Sequence, residues 1–449
     1  MNNKVHPVDE HLPFPRLLML GLQHVLAMYA GAVTVPLVLA GAIGLSKDAT
    51  AILISADLFA GGIVSIIQSL GIGIFGIRYP LMMGVTFVAI GPMIAIGLNP
   101  ELGLNGIFGS IMAAGVIGFL LAPLMSRLVR FFPPVVTGTV ILVIGVSLMG
   151  VGITYAGGGY GAKDFGSPLY IGIAFFVLLA IVLFSRYGNG LISNIAVLLG
   201  ILAGFVVTAM LGMVSFTGLS QAAWFAPVIP FHFGMPRFDV LAITSMTLVM
   251  IVTMIETMGG IFAMGDIIDK TPTQNDIKRG LRTDGLGALI GGIFNTCPYT
   301  TFSQNIGLVY VSGVRSRYVC VMAGAIMILL GLVPKLSILI ASIPDFVLGG
   351  ATLVMFGMVA GNGVRILQNV DFRTNRHNVM IVAVSLGLGM IPMVSDKFFA
   401  KFPTDIGTLL NSGIALCAIS AIVLNYMANG RATKEDVDAM MHENVKAPT

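Results

Sequence analysis

An all-α polytopic membrane protein is the fold class this sequence predicts, on three observations. Of its 449 residues 56% are hydrophobic and only 10% are charged, less than half the roughly 25% that a water-facing surface carries. Charge-free stretches of the length a bilayer demands, about 20 residues, recur from end to end. Breaker residues interrupt the apolar pattern at matching places in the two halves. The net charge of +4 is dispersed, with no basic run set beside aromatics, which excludes a nucleic-acid partner. Cys297, Cys320 and Cys417 stand in apolar stretches without CxxC spacing or a histidine pair, so packing residues are expected, not a disulfide framework or a metal site. Met1 to His11 mixes acids and bases, and the apolar run after Arg16 is too long for the h-region of a secretory signal. The first apolar segment is therefore expected to be a true span.

The spans follow from the gaps between charges. Leu17 to Ser46 holds no Asp, Glu, Lys or Arg, and the same is true of Leu58 to Ile77, Tyr79 to Pro100, Leu102 to Ser126, Phe131 to Ala162 and Phe165 to Ser185. Tyr187 to Pro236 is too long for one helix. It reads as a span to about Met213, then an interfacial loop carrying Trp224, three prolines and His232. The second half predicts spans near Val240 to Gly265, Gly285 to Cys297, Phe302 to Gly313, Tyr318 to Pro334, Phe346 to Val364, Asn378 to Met393 and Ile406 to Met427. That is seven per half and fourteen in all. An even count puts both termini on one side, where eighteen of the 24 Lys and Arg then fall, so both termini are expected in the cytoplasm.

An odd number of spans per half makes any repeat an inverted one. Pro133 to Gly138, before the fifth span, aligns with Pro344 to Gly349, before the twelfth, and Thr86-Phe87 aligns with Thr301-Phe302. The third and tenth spans are preceded by breakers (Tyr79-Pro80 and Gly84; Cys297-Pro298) and by short β-permissive stretches, Val85 to Ala89 and Thr300 to Ser303. Each is expected to be a short helix preceded by a short strand. Broken segments at matching positions of inverted halves mark a transporter's binding site, because unwound backbone and helix ends offer hydrogen-bonding groups at membrane depth.

Ionisable groups at that depth cost about 2.5 to 3.5 kcal/mol each and need a reason to be there. Glu256 lies mid-span just before Gly259-Gly260, and a functional role is favoured over a helix-helix hydrogen bond, which Ser or Thr would make more cheaply. Asp284 stands near the expected start of the ninth span, where it reads equally as a functional group and as a first-turn acid complementing the helix dipole. His24, alone in the first span, reads first as a packing residue, and Asp57 as a structural partner for another helix. Gln304 and Asn305 open the tenth short helix. A planar amide offers a donor and an acceptor that suit a flat ligand edge, and Asn305 could cap the helix and brace Gln304.

Ser303 to Gly313 resembles the signature of the nucleobase-ascorbate transporter family at every specified position, through Gln304, Asn305, Gly307, Ser312 and Gly313. Gln23-His24, Glu256, Asp284 and Gly292 to Phe302 are similar to the same family in the same order. The resemblance runs from about Pro15 to Gly430 and is closest in kind to bacterial xanthine and urate permeases. It implies a core domain from residues 16–126 and 238–335 (spans one to four and eight to eleven). It also implies a gate domain from 131–214 and 344–428 (spans five to seven and twelve to fourteen), with cytoplasmic tails at 1–15 and 429–449. A homodimer through the gate domains, in a cell (inner) membrane, is likewise implied.

For the site, the resemblance implies that Glu256 and Gln304 bind an oxidised purine base, with Phe87, Ser303, Thr86 and Phe302 completing the substrate pocket. Asn305, His24 and Gly307 support it, and Glu256, Asp284 and His24 couple protons. Gly260 departs from the family, many members of which carry Asp or His there. No cofactor is expected, the proton being the coupling ion with sodium as the other candidate. The resemblance thus implies proton symport of xanthine or urate by movement of core against gate. The alternatives are a symporter of uracil or another nucleobase, or an anion transporter or channel of the same fold. An enzyme is not expected, because no nucleophile, base and orienting group share a place in the sequence.

Overall fold

A computed structural model describes residues 6–125, 133–395, 397–399, 401–402, 410 and 413–430. The expected C-terminal tail beyond Gly430, Arg127 and Arg130 of the charge bias, and the expected start of the last span at Ile406 lie outside them. Sixteen helices are described: α1 (Phe14–Ala42), α2 (Lys47–Leu70), α3 (Ile90–Gly97), α4 (Gly103–Leu121), α5 (Pro134–Ala156), α6 (Pro168–Tyr187), α7 (Leu191–Asn194), α8 (Ala196–Met210), α9 (Val240–Ile267), α10 (Gln274–Ile293), α11 (Ser303–Ser312), α12 (Arg317–Gly331), α13 (Pro334–Ala341), α14 (Asp345–Leu367), α15 (Arg376–Val394) and α16 (Gly413–Asn429). Two strands, β1 (Met83–Val85) and β2 (Tyr299–Thr301), pair antiparallel, with Met83 opposite Thr301 and Val85 opposite Tyr299. Among the described residues eight helices are long and apolar enough to cross a membrane, or nine if α12 and α13, bent 80° apart, count as one.

Several boundaries differ from the sequence expectation, each for a local reason. The sequence predicts the ninth span at Gly285 to Cys297, but α10 begins eleven residues earlier, at Gln274. Thr273 and Asp276 form a reciprocal capping box there, which satisfies free amide groups at the helix start. Asp284 is consequently mid-helix and not a first-turn acid. The strands end sooner than the β-permissive stretches, because Thr86 accepts a hydrogen bond from the Val88 amide and opens a 3-10 turn over Phe87–Ala89. The expected seventh span is divided at Ile195 into α7 and α8. The eleventh breaks before Pro334, which opens α13, a position where the missing amide proton costs nothing.

α2 lies against α12, and α4 against α10 and α9; α5 lies along α14, and α15 and α16 pack on α5 and on each other. The α5–α14 seam is exceptionally close. A Cβ added at Gly145 would sit 2.3 Å from the Ala360 nitrogen, and one at Gly363 would sit 2.4 Å from the Leu142 nitrogen. Both obstacles are backbone and cannot rotate away, so Gly145→Val is expected to separate the pair at a cost of about 3 kcal/mol or more. A fall in detergent-solubilised melting temperature, compared with Gly172→Val on the open face of α6, measures it. That open face shows Phe175 at 63% exposure and Leu179 at 44%, as suits a surface turned to lipid.

Candidate functional site

The two strands meet where the expected site residues gather. β1 leads through Thr86 and Phe87 into α3, and β2 leads through Phe302 into α11. Their crossing is closed by hydrogen bonds from the Thr86 amide to the Pro298 carbonyl, 3.0 Å, and from the Phe302 amide to the Met82 carbonyl, 2.9 Å. The Phe302 ring fills the space left by two glycines: an added Cβ at Gly84 would lie 2.3 Å from it, and one at Gly31 of α1 2.5 Å. Backbones approach this closely only where no side chain intervenes. At 4% exposure the ring is committed to packing, and Thr86, fully buried, has its hydroxyl engaged by the Val88 amide. Phe87 is partly exposed and stands edge-on to Phe356 of α14, with ring centroids 5.9 Å apart. Sequence reading missed Phe356, since one aromatic in an apolar span carries no periodic signal.

α9 brings its acid to the crossing. The Thr301 amide donates to the Thr257 hydroxyl at 3.3 Å, and that hydroxyl shares a 3.1 Å hydrogen bond with Thr300. Glu256, the preceding residue, is partly exposed. Neither its carboxylate nor the Gln304 amide, also partly exposed, makes a hydrogen bond among the described residues. One helical turn on from Glu256, a Cβ at Gly260 would meet the Thr301 methyl at 2.8 Å, so β2 takes the room a side chain would need. The Thr257 contact was also missed; a Thr beside a Glu in an apolar helix is unremarkable until the strand is seen.

Asp284 is fully buried, and among the described residues neither of its oxygens has a hydrogen-bond partner. Glu256 and the Thr257 hydroxyl are near enough to interact with its charge. The structure thus brings Asp284 into the same electrostatic cluster as Glu256, on facing helices.

Asn305 does not do what the sequence suggested. The N-cap of α11 is Phe302 and has no side-chain cap, and Asn305 braces α1, not Gln304. Its Nδ2 donates to the His24 carbonyl at 2.9 Å and lies 3.0 Å from His24 Nδ1. The capping expectation fails because the Asn305 amide is taken up by His24 of α1 and so does not turn back to the start of its own helix. His24 is accordingly a buried anchor for the site helix. Ser303, first residue of α11, is exposed; Gly307 is also exposed, and among the described residues nothing lies within 4 Å of a Cβ placed there, so their packing does not explain that glycine. Asp57 corrects a further expectation: its partners are Thr296 and Tyr299, in and before β2, and not another helix.

Among the described residues no group of three His, Cys, Asp or Glu could hold a metal ion, and Cys297, Cys320 and Cys417 are free and buried. The arrangement offers, among long apolar helices, a carboxylate, a carboxamide and the open ends of two short helices. That set suits a flat polar solute better than an ion alone.

The profile of a family described as "Permease family" (Xan_ur_permease) matches residues 15–398. The uric acid transporter UacT of Escherichia coli K12 is 55% identical over 424 residues, covering 94% of this chain and 88% of that protein. The xanthine permease of Bacillus subtilis 168 is 41% identical over 436 residues, 97% and 99% of the two chains. In three dimensions the transmembrane domain of the cyanobacterial bicarbonate transporter BicA superposes with a TM-score of 0.56 at 16% identity, covering 93% of this chain and 99% of that one. The fold is the one found in that transporter domain, and the protein is integral to the membrane. With its signature at Gln304 to Gly313 and the match over most of its length, the chain belongs to the permease family of nucleobase-ascorbate transporters.

Proposed function

We propose that this protein imports an oxidised purine base, xanthine or urate, across the cell (inner) membrane by proton symport. The observation that carries the reading is that the Glu256 carboxylate on α9 and the Gln304 amide on α11 make no hydrogen bond among the described residues, while α9 packs against both β2 and α11. A purine dione or trione presents alternating N–H and C=O groups on a rigid plane; the carboxylate accepts from two N–H groups, and the amide both donates and accepts. Backbone groups at Phe87 and Ser303 complete the edge, and Asn305 with His24 holds α11 in place. The names of the two permease relatives support the substrate class.

Fourteen crossings arise when the 20-residue helix Gln274–Ile293, which begins in a charged stretch, and the short helices Phe87–Gly97, Ala196–Met210, Ser303–Ser312 and Gly413–Asn429 join the eight long apolar ones and the bent α12–α13 pair. On this reading α1–α4 and α9–α13 form the core, α5–α8 and α14–α16 the gate. Both termini are cytoplasmic, and two copies meet through their gates. Phe87 and Phe356 touch across the boundary between core and gate, so movement of one group against the other opens the site to alternate sides. The coupling proton travels on Glu256 and Asp284. One charge moving inward through 100 mV supplies about 2.3 kcal/mol, enough for about a 50-fold concentration ratio. A carboxylate at the site repels inorganic anions such as chloride or bicarbonate, which bring at most one N–H- or O–H-type donor for it to accept, whereas a purine base brings several, and this disfavours the anion-carrier alternative.

Gln304→Glu tests the assignment of the amide. It removes the donor and adds a charge, so uptake of labelled xanthine and urate is expected to fall at least about tenfold relative to uracil. An unchanged ranking of the three bases removes Gln304 from the site.

A further inference from the structure

The strand crossing is held from behind by one helix. Asp57, Gly61, Ser65 and Ser69 follow one another at intervals of four along α2, which places them on a continuous stripe. Each touches the segments that form the crossing. The Ser69 hydroxyl donates to the Leu81 carbonyl at 2.9 Å. Ser65 receives the Met83 amide at 2.9 Å and returns a hydrogen bond to the Met83 carbonyl at 3.2 Å. A Cβ at Gly61 would lie 3.1 Å from the Tyr299 ring. Asp57 Oδ1 accepts hydroxyl protons from Thr296 and Tyr299, both at 3.0 Å, and its carbonyl lies 3.0 Å from the same Tyr299 hydroxyl. The two serines thus fix β1, and Asp57 fixes β2 and the turn before it.

We propose that Asp57 is a positioning residue of the solute site, acting through Tyr299 and Thr296 to set β2 and, through β2, the Ser303–Gln304 start of α11. A buried carboxylate at 1% exposure is a costly way to anchor a strand, but it brings what serine lacks: one acceptor oxygen strong enough to hold two hydroxyls at once. Tyr299, also buried, stands opposite Val85 in the sheet register, so a shift of its hydroxyl moves both strands. A displacement of about 1 Å at a binding group is enough to cost up to 100-fold in productive contact. Asp57 touches neither solute nor proton on this account. Its effect is geometric, and Asn, which keeps an acceptor oxygen, should replace it where Ala cannot.

The test rests on the proposed purine import for one readout and is independent of it for the other. Full-length wild type, Tyr299→Phe, Asp57→Asn and Asp57→Ala are compared for the KM of xanthine and urate uptake at matched membrane amounts. Each is also made with Ser303→Cys, and the rate of labelling by N-ethylmaleimide is followed without any solute. Tyr299→Phe and Asp57→Ala are expected to raise KM about tenfold, the worth of a hydrogen bond to a charged acceptor, and to change the labelling rate severalfold. Asp57→Asn should stay within about threefold of wild type in both. Wild-type KM and labelling in Tyr299→Phe overturn the inference. So does an Asp57→Asn as impaired as Asp57→Ala, since charge and not position would then matter. If Asp57→Ala fails to reach the membrane, the other two variants decide by the same criteria. A wild type that takes up neither purine sinks the import reading alone, and the labelling rates still judge Asp57.

Discussion

Glu256→Gln is expected to reduce purine uptake to background while leaving the protein in the membrane at its normal amount. The substitution keeps the shape of the side chain and one carbonyl oxygen, but removes the charge and the second strong acceptor. Glu256 holds nothing else: among the described residues its carboxylate makes no hydrogen bond, and the contacts of α9 with β2 run through Thr257 instead. The fold therefore loses nothing, whereas the bound base loses a charge-assisted pair of hydrogen bonds. Removing a charged partner of that kind costs about 2 to 5 kcal/mol, so uptake at low solute concentration should fall by at least about 30-fold. Initial rates of labelled xanthine and urate entry, with an immunoblot of membranes, measure both halves. Uptake within twofold of wild type would remove Glu256 from the site.

Asp284→Asn should uncouple the protein without disabling it. A carboxylate of zero exposure whose oxygens find no hydrogen-bond partner among the described residues is costly for the fold to hold, so the neutral amide is expected to leave the melting temperature equal or higher, in the usual trade of stability for function. What is lost is a group that can carry charge next to Glu256. Accumulation against a gradient is expected to collapse to a ratio of about one, while exchange of labelled for unlabelled purine continues. The expected loss of about 50-fold is the driving force of one translocated charge. If accumulation survives, Asp284 has no part in coupling; if exchange disappears with it, the residue belongs to solute binding.

Much of this was legible in the residues, and the rest was hidden for identifiable reasons. Charge-free gaps locate apolar helices because burying a charge in lipid is costly, and Glu256 stands out by the same rule. The gaps do not locate helix ends: α10 begins in a charged stretch whose first turn is set by Thr273 and Asp276, so a hydrophobic criterion starts it eleven residues late and misplaces Asp284. The site's polar pairs were invisible in sequence. His24 with Asn305, Asp57 with Tyr299, and Thr257 with Thr301 join residues 281, 242 and 44 positions apart, and nothing local distinguishes them from packing residues. Phe356 was missed likewise, since what sets it apart is the Phe87 ring it stands against.

Reconstituted protein in vesicles with an acidic exterior provides the most direct measurement of the central claim. Labelled xanthine and urate should accumulate inside with sodium absent, accumulation should stop when a protonophore removes the gradient, and either unlabelled purine should compete more strongly than uracil. Sodium-dependent entry would contradict the proton as coupling ion, and entry of neither purine would contradict the claim itself.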